Sequence, residues 1–318
     1  LIIRRFGVQV PVGPQMSSHS YIHNSKNENI YININGELFS RDKAKISVFD
    51  SGFLLGDGVW EGIRLHKSKL VFISEHLDRL FNSARGISLN IPLSKDDIIF
   101  EIEKVLLKNE MTDDVHIRLI VSRGDKITPY QNPNANVGPI NFVIIPEYKK
   151  TDPKIYENGI IIGRVSTIRP AENILSTHYN TLSKLNCILA SIEANKLKYD
   201  EGIMNDPYGN ISTCNSTNLF FIKKGQVWTS TGKFCLNGIT RSKAIHICHI
   251  NEIPCIETNF TFEDIKDCEE AFVTGTFAGI IPVSKIEKHE LSSTNSNSLV
   301  NQIRASYNQY INQYISSQ

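Results

Sequence analysis

Along this chain the hydrophobic and polar residues fall into two rhythms, one of strands and one of helices. YINING (31–36) reads as a strand closing on an Asn-Gly hairpin turn. GVWEGIRLHKSKLVFI (58–73) reads as two strands about a short turn. VHIRLIVSRG (115–124) alternates with period two, and INFVIIP (140–146) is an unbroken apolar run of a buried strand. Helical spacing takes over at SEHLDRLFNSARGI (74–87), where apolar residues stand at 77, 80, 81 and 84. SKDDIIFEIEKVLLKNEM (94–111) is a second amphipathic helix. Ser94 is its predicted N-cap, and Asp97 three residues on completes a capping box.

The polar, non-periodic run EYKKTDPKIYENG (147–159) breaks this pattern and is read as the linker between two domains. After it, GIIIGRVST, EGIMN, NLFFIKKGQVWTS, CIETNF and EEAFVTGT read as strands. Residues 181–198 and TRSKAIHICHIN (240–251) read as helices. HELSSTNSNS (289–298) is a polar loop. The tail places Val300, Ile303, Tyr307, Ile311 and Tyr314 on one helical face, which predicts a helix docked on the body. SSHSYIHNSKNEN (17–29) is polar and expected to be flexible. The expected organisation is a flexible extension over 1–29, a small α/β domain over 30–148, a linker over 149–158 and a larger α/β domain over 159–318. The fold class is α/β (α+β).

Composition narrows the partners. The 318 residues are 41% hydrophobic and 21% charged with a net charge of +1, so no electrostatic footprint for nucleic acid or an acidic membrane is expected. No apolar run approaches the ~20 residues of a membrane span. The six cysteines form no C-x-x-C pair and no zinc spacing with histidine. They are expected as buried free thiols in a reducing cytoplasm, with no metal site. LIIRRFGVQVPVGPQM (1–16) lacks a sustained apolar core and a small-residue cleavage site, so it is not read as a signal peptide; Met16 is a candidate start.

The most telling stretch is THYNTLSKLNCILASIEAN (177–195). With GDGVWEGIR (56–64), EHLDRL (75–80), NGITR (237–241) and TGTFAG (274–279), it resembles the class IV (fold type IV) aminotransferases, of the branched-chain and D-amino-acid kinds. The resemblance runs from about residue 30 to about 285. It implies two α/β domains with pyridoxal 5′-phosphate between them, amino acid or amine and 2-oxo acid substrates, and a homodimer.

A phosphate dianion needs a fixed cation and backbone N–H donors, best supplied by a helix N-terminus. The resemblance assigns Arg79 as that cation, Gly238, Ile239 and Thr240 as the helix start, and Gly275 with Thr276 as the third wall. His116 and Arg118 share one face of an alternating strand. By resemblance they line the substrate pocket and orient a carboxylate, with Arg64 as a second cation. Trp60 and Phe277 are the implied aromatic walls. Each assignment has a plainer counterpart: Arg79 paired with Glu75 on a helix surface, an exposed polar strand face at 116–118, or Trp60 as core.

Two positions depart from the family pattern. The position of the family's cofactor lysine holds Asn180, an amide that is neither nucleophilic nor basic at neutral pH. Lys184 stands four residues on, read as the same face of a helix and about 6 Å along its axis, and is the candidate for a relocated Schiff-base lysine. Its plain counterpart is a solvated helix lysine. The glutamate that pairs with the pyridine nitrogen is replaced by Thr213, five residues before Asn218. His178 and Tyr179 are candidate replacement acid–base groups. Three activities stay open on these residues. One is a transaminase using Lys184. The second is a homologue that binds the cofactor or another anionic ligand without a covalent bond, with a lyase-like step or none. The third is a non-catalytic subunit.

Overall fold

The computed structural model describes residues 24–318. The expectations for residues 1–23 lie outside it. The first half runs β1 (Tyr31–Ile34), β2 (Glu37–Ser40), α1 (Ser51–Leu55), β3 (Gly58–His66), β4 (Lys69–Val71), α2 (Ile73–Gly86), α3 (Lys95–Lys108), β5 (Val115–Ser122) and β6 (Asn141–Tyr148). These strands form one antiparallel sheet in the order β2-β1-β6-β5-β3-β4. Asn35 and Gly36 both take positive φ, which gives the β1–β2 hairpin its expected tight turn. Ser94 caps α3, and its capping box with Asp97 is formed in both directions. Leu77 and Leu80 of α2 and Ile98 and Ile102 of α3 are buried with Val59, Ile63, Ile117 and Leu119 of the sheet, making one core.

The second half runs α4 (Lys154–Asn158), β7 (Ile160–Arg164), α5 (Leu185–Lys196), β8 (Glu201–Asn205), β9 (Ile211–Cys214), β10 (Asn218–Lys223), β11 (Gln226–Thr229), α6 (Ile239–Ile250), β12 (Cys255–Glu257), α7 (Phe262–Ile265), β13 (Glu270–Gly275), β14 (Gly279–Ile286), β15 (His289–Glu290) and α8 (Leu299–Ser316). Its mixed sheet follows β12-β11-β10-β13-β14-β7-β8-β9, with β15 beside β14. Successive residues of β10 face opposite sides. Leu219 and Phe221 enter one core, while Phe220 and Ile222 enter another. Both faces of this strand are therefore covered, which explains its unbroken apolar run. Phe220 stacks on Phe272 at 4.6 Å. Helix α8 lays Val300, Ile303, Tyr307 and Ile311 into the second of these cores, as its spacing predicts; Ile315 completes the buried row and Tyr314 packs at its edge.

Three local differences from the sequence reading have physical causes. Residues 24–29, read as the end of a polar extension, carry a helical turn, Ser25–Asn27. The Asn27 amide exchanges hydrogen bonds with the backbone of Tyr148 and Asn24 Nδ2 donates to Tyr148 O, so two asparagines act as a clasp on β6. A short helix, α4, occupies the polar run after β6. Helix α5 begins at Leu185 rather than 181. The residues before it pair with β3 instead: Leu182 N–H donates to Gly58 O, Trp60 N–H donates to Asn180 O, and Val59 bridges Thr181. Asn180 and Lys184 are therefore not on one helical face.

Candidate active site

A cavity of about 500 Å³ lies where β3 and β5 of the first sheet meet the 169–187 segment, the α6 start and the end of β13. That volume suits a small ligand. Arg79 projects into it from α2, held by a buried acid. Its Nε and Nη2 donate to both Glu61 oxygens at 2.8 and 2.7 Å, and Nη1 donates to Asn237 O at 3.1 Å. His76 Nδ1 lies 2.7 Å from the same carboxylate. Burial works against charge on Glu61, but Arg79 and His76 outweigh it and hold its pKa at about 2. The plainer alternative, a surface pair of Arg79 with Glu75, does not form: Glu75 bonds Lys243 at 2.7 Å.

Opposite Arg79, α6 begins at Gly238 with no side-chain cap. Its first N–H groups have no intrahelical acceptor, and they add the positive end of the helix dipole. Asn218 fixes this corner, since its Nδ2 donates to Leu236 O at 2.9 Å. A Cβ at position 238 would lie 2.3 Å from Asn218 Oδ1, so only glycine lets the loop approach so closely. Ile239, Thr240, Gly275 and Thr276 line the same cavity. A cation, an open helix start and two threonines thus converge on one wall, the arrangement expected of an anion cup.

The aromatic wall is Trp60, whose Nε1 donates to Thr181 O at 3.1 Å. The Arg118 guanidinium sits 3.8 Å from its ring centroid, and Lys184 Nζ lies 5.5 Å away. Trp60 is therefore a half-buried platform for two basic side chains rather than core. His116 lines the cavity beside Arg118 and packs edge-on against Phe277 at 5.8 Å. Lys149, a residue the motifs did not flag, lies 4.6 Å over the Phe277 ring. Burial pushes the pKa values of Arg118 and Lys149 below their usual ranges, while Glu147 opposes the shift.

Lys184 stands at the N-terminal boundary of α5 and lines the cavity. Burial, then Arg169 and Arg79, push its amine down to about 8, against the opposing pull of Cys187 and Glu61. Arg169, also missed from sequence, is buried. It donates to Phe234 O, to Asn186 Oδ1 and to Cys187 Sγ, each at 3.1 Å. Asn180 lines the cavity too, with its Nδ2 donating to Trp60 O at 2.7 Å. The Tyr179 ring lies where a Cβ at Gly86 would be, 2.2 Å from the ring, so that glycine seats the segment against α2. Thr213 lines the far wall, but its hydroxyl donates to Thr217 O at 2.7 Å. Behind it, buried Glu201 accepts from Ser216 and Thr217 at 2.9 and 2.6 Å.

Two expected site residues fall elsewhere. His178 does not line the cavity; it is partly exposed and pairs with Glu172 at 3.1 Å, so a role as replacement acid–base group is not supported. Arg64 is also absent from the lining and lies near Tyr307, whose hydroxyl meets Thr240. The remaining expected residues share the one cavity. No cluster of metal-ligating side chains occurs among the described residues.

Residues 58–286 match the family model described as amino-transferase class IV. A branched-chain-amino-acid aminotransferase-like protein of Arabidopsis thaliana is 36% identical over 80% of this chain, which spans 45% of that protein's length. A putative branched-chain-amino-acid aminotransferase of Methanocaldococcus jannaschii is 34% identical over 80% of this chain and 88% of its own length. The branched-chain amino acid aminotransferase structure of Escherichia coli superposes with a TM-score of 0.82 at 27% identity, covering 89% of this chain and 95% of that one. With that family model matched over residues 58–286, across strands of both sheets, the chain belongs to the class IV aminotransferases.

Proposed function

We propose that this protein is a pyridoxal 5′-phosphate-dependent aminotransferase in which Lys184 supplies the amine that bonds the cofactor. The observation that carries this reading is the placement of Lys184: its amine enters the cavity that holds the anion cup, over the Trp60 ring, with its pKa down to about 8. A lysine shifted in that direction has a much larger neutral, nucleophilic fraction near neutral pH than an ordinary lysine. The residues present fit the cofactor. Arg79, the open start of α6, Thr240 and Thr276 would hold its phosphate, and Trp60 would flank its ring. Bound there, the cofactor supplies an aldehyde that exchanges amines and a ring that withdraws electrons. Arg118, with His116, binds and orients the substrate carboxylate. Lys184 would be the base that takes and returns a proton at the substrate. Thr213, whose hydroxyl donates to Thr217 O, offers the ring nitrogen no acid in this reading.

The protein acts as a homodimer in this reading. Helix α5 supports it by turning Leu185, Ile188, Leu189 and Ile192, an i, i+3, i+4, i+7 row, toward solvent. The substrates are an amino acid or amine and a 2-oxo acid.

The test is turnover. Wild-type protein with cofactor transfers an amino group from a panel of amino donors to a 2-oxo acid, and Lys184→Met abolishes transfer while still binding the cofactor. Equal rates in both would overturn the role of Lys184. A second reading is favoured by Asn180 and by Thr213, whose hydroxyl is committed to Thr217 O. In it the chain holds the cofactor, or another phosphorylated or carboxylated ligand, without a covalent bond. That reading predicts binding with no transfer by either protein.

A further inference from the structure

The side chain at the family's lysine position is held in one orientation. Asn180 is 1% exposed. Its backbone N–H donates to Ser83 Oγ at 3.0 Å and its carbonyl accepts from Trp60 N–H at 3.0 Å. The Nδ2 of its amide donates to Trp60 O at 2.7 Å. Turning the amide over would set two carbonyl oxygens against each other, so the assignment of oxygen and nitrogen is fixed by this contact. Oδ1 then faces away from β3. It is buried and has no hydrogen-bond partner among the described residues.

Two other buried oxygens of cavity-lining residues, Thr177 Oγ1 and Thr274 Oγ1, also lack partners among the described residues. A hydroxyl can rotate to donate or accept, whereas an amide oxygen can only accept. A buried acceptor without a donor is costly, and a ligand that brings an N–H removes that cost. The rest of the wall asks for an anion at Arg79 and α6. Asn180 asks for a donor on the same ligand. An aldehyde group has no hydrogen to donate there, while an aminomethyl group does.

We propose that the cavity binds the amine form of the cofactor, pyridoxamine 5′-phosphate, in preference to forms without a donor at that carbon, because Asn180 Oδ1 accepts an N–H from the amine. This rests on the reading that the cavity holds a pyridoxal-type cofactor, but not on a bond to Lys184. It gives Asn180 a binding role at the place where a lysine would otherwise stand. The amine is held by a hydrogen bond, and no covalent bond forms or breaks.

The experiment compares two ligands with the same ring and phosphate. The full chain, freed of resident cofactor by dialysis, is titrated calorimetrically at pH 8 with pyridoxamine 5′-phosphate and with 4-deoxypyridoxine 5′-phosphate, which carries a methyl group instead. Wild-type protein should bind the amine at least about 10-fold more tightly, the factor expected for one buried hydrogen bond. In Asn180→Leu that ratio should fall to within about 2-fold, while affinity for the methyl ligand stays nearly constant. Should Asn180→Leu not fold, Asn180→Ala removes the same acceptor. A wild-type ratio near one, a ratio that survives the substitution, or no binding of either ligand overturns the proposal. Cofactor fixed to Lys184 with a ratio near one would sink this inference alone. A clear ratio with nothing fixed to Lys184 would sink the Lys184 reading alone.

Discussion

At the scale of single residues, the account turns on what surrounds one amine. Lys184 has Arg169, Arg79 and a buried setting against it, and only Cys187 and Glu61 in its favour. A base whose folded pKa is lowered binds fewer protons in the folded than in the unfolded state between the two values. Here that window runs from about 8 to 10.5, so deprotonation favours folding as pH rises through it. Reductive methylation of the native protein at graded pH, read by peptide mass spectrometry, should show Lys184 reacting with a midpoint near 8, below the surface lysines. A midpoint alongside the exposed lysines would contradict the placement. Much of this neighbourhood was legible through the family resemblance, whose motifs carry Arg79, Trp60, His116, Arg118, Thr240 and Thr276, all of which line the cavity. Arg169 and Lys149 were not, since each lies in an irregular polar stretch where no periodicity says which way a side chain turns. Arg64 and His178 do not line the cavity: His178 lies in the irregular run before α5, whereas Arg64 is in β3 and sits near Tyr307.

At the scale of elements, the start of α6 and the strand-like run before α5 carry the site. The α6 start depends on Gly238 approaching Asn218, where a Cβ would be 2.3 Å from Oδ1. Gly238→Ala should therefore displace the loop and weaken pyridoxal 5′-phosphate affinity by about 10-fold or more, measured by titration of tryptophan fluorescence, with little change in thermal midpoint. Unchanged affinity would mean that α6 does not hold the phosphate. Strand alternation, the α3 capping box and the apolar face of α8 were all readable, because each is a local rule. The beginning of α5 was not. Local helical spacing extends back to 181, but the hydrogen bonds of 180–182 to β3 are tertiary and override it.

At the scale of the whole molecule, two sheets meet at one cavity, joined by a core in which Val71 and Phe72 of the first half pack with β10, α6 and α8, and α5 leaves an apolar row exposed. Leu185 is 67% exposed and Ile188 51%. Burying that row between two copies predicts a dimer by sedimentation velocity at micromolar concentration, and Ile188→Glu should convert it to monomer with its secondary structure intact. A monomeric wild-type protein would remove α5 as the interface. The strand-rich second half followed from the hydrophobic pattern and the two-domain α/β fold from the family motifs, whereas the exposed α5 face only emerges once burial is known. The central claim is that Lys184 does the work of the lysine absent at 180. Its most direct measurement is borohydride reduction of the protein mixed with pyridoxal 5′-phosphate, followed by peptide mapping. The account predicts a reduced phosphopyridoxyl group on Lys184, lost in Lys184→Met. A bound cofactor that leaves Lys184 unlabelled would contradict it.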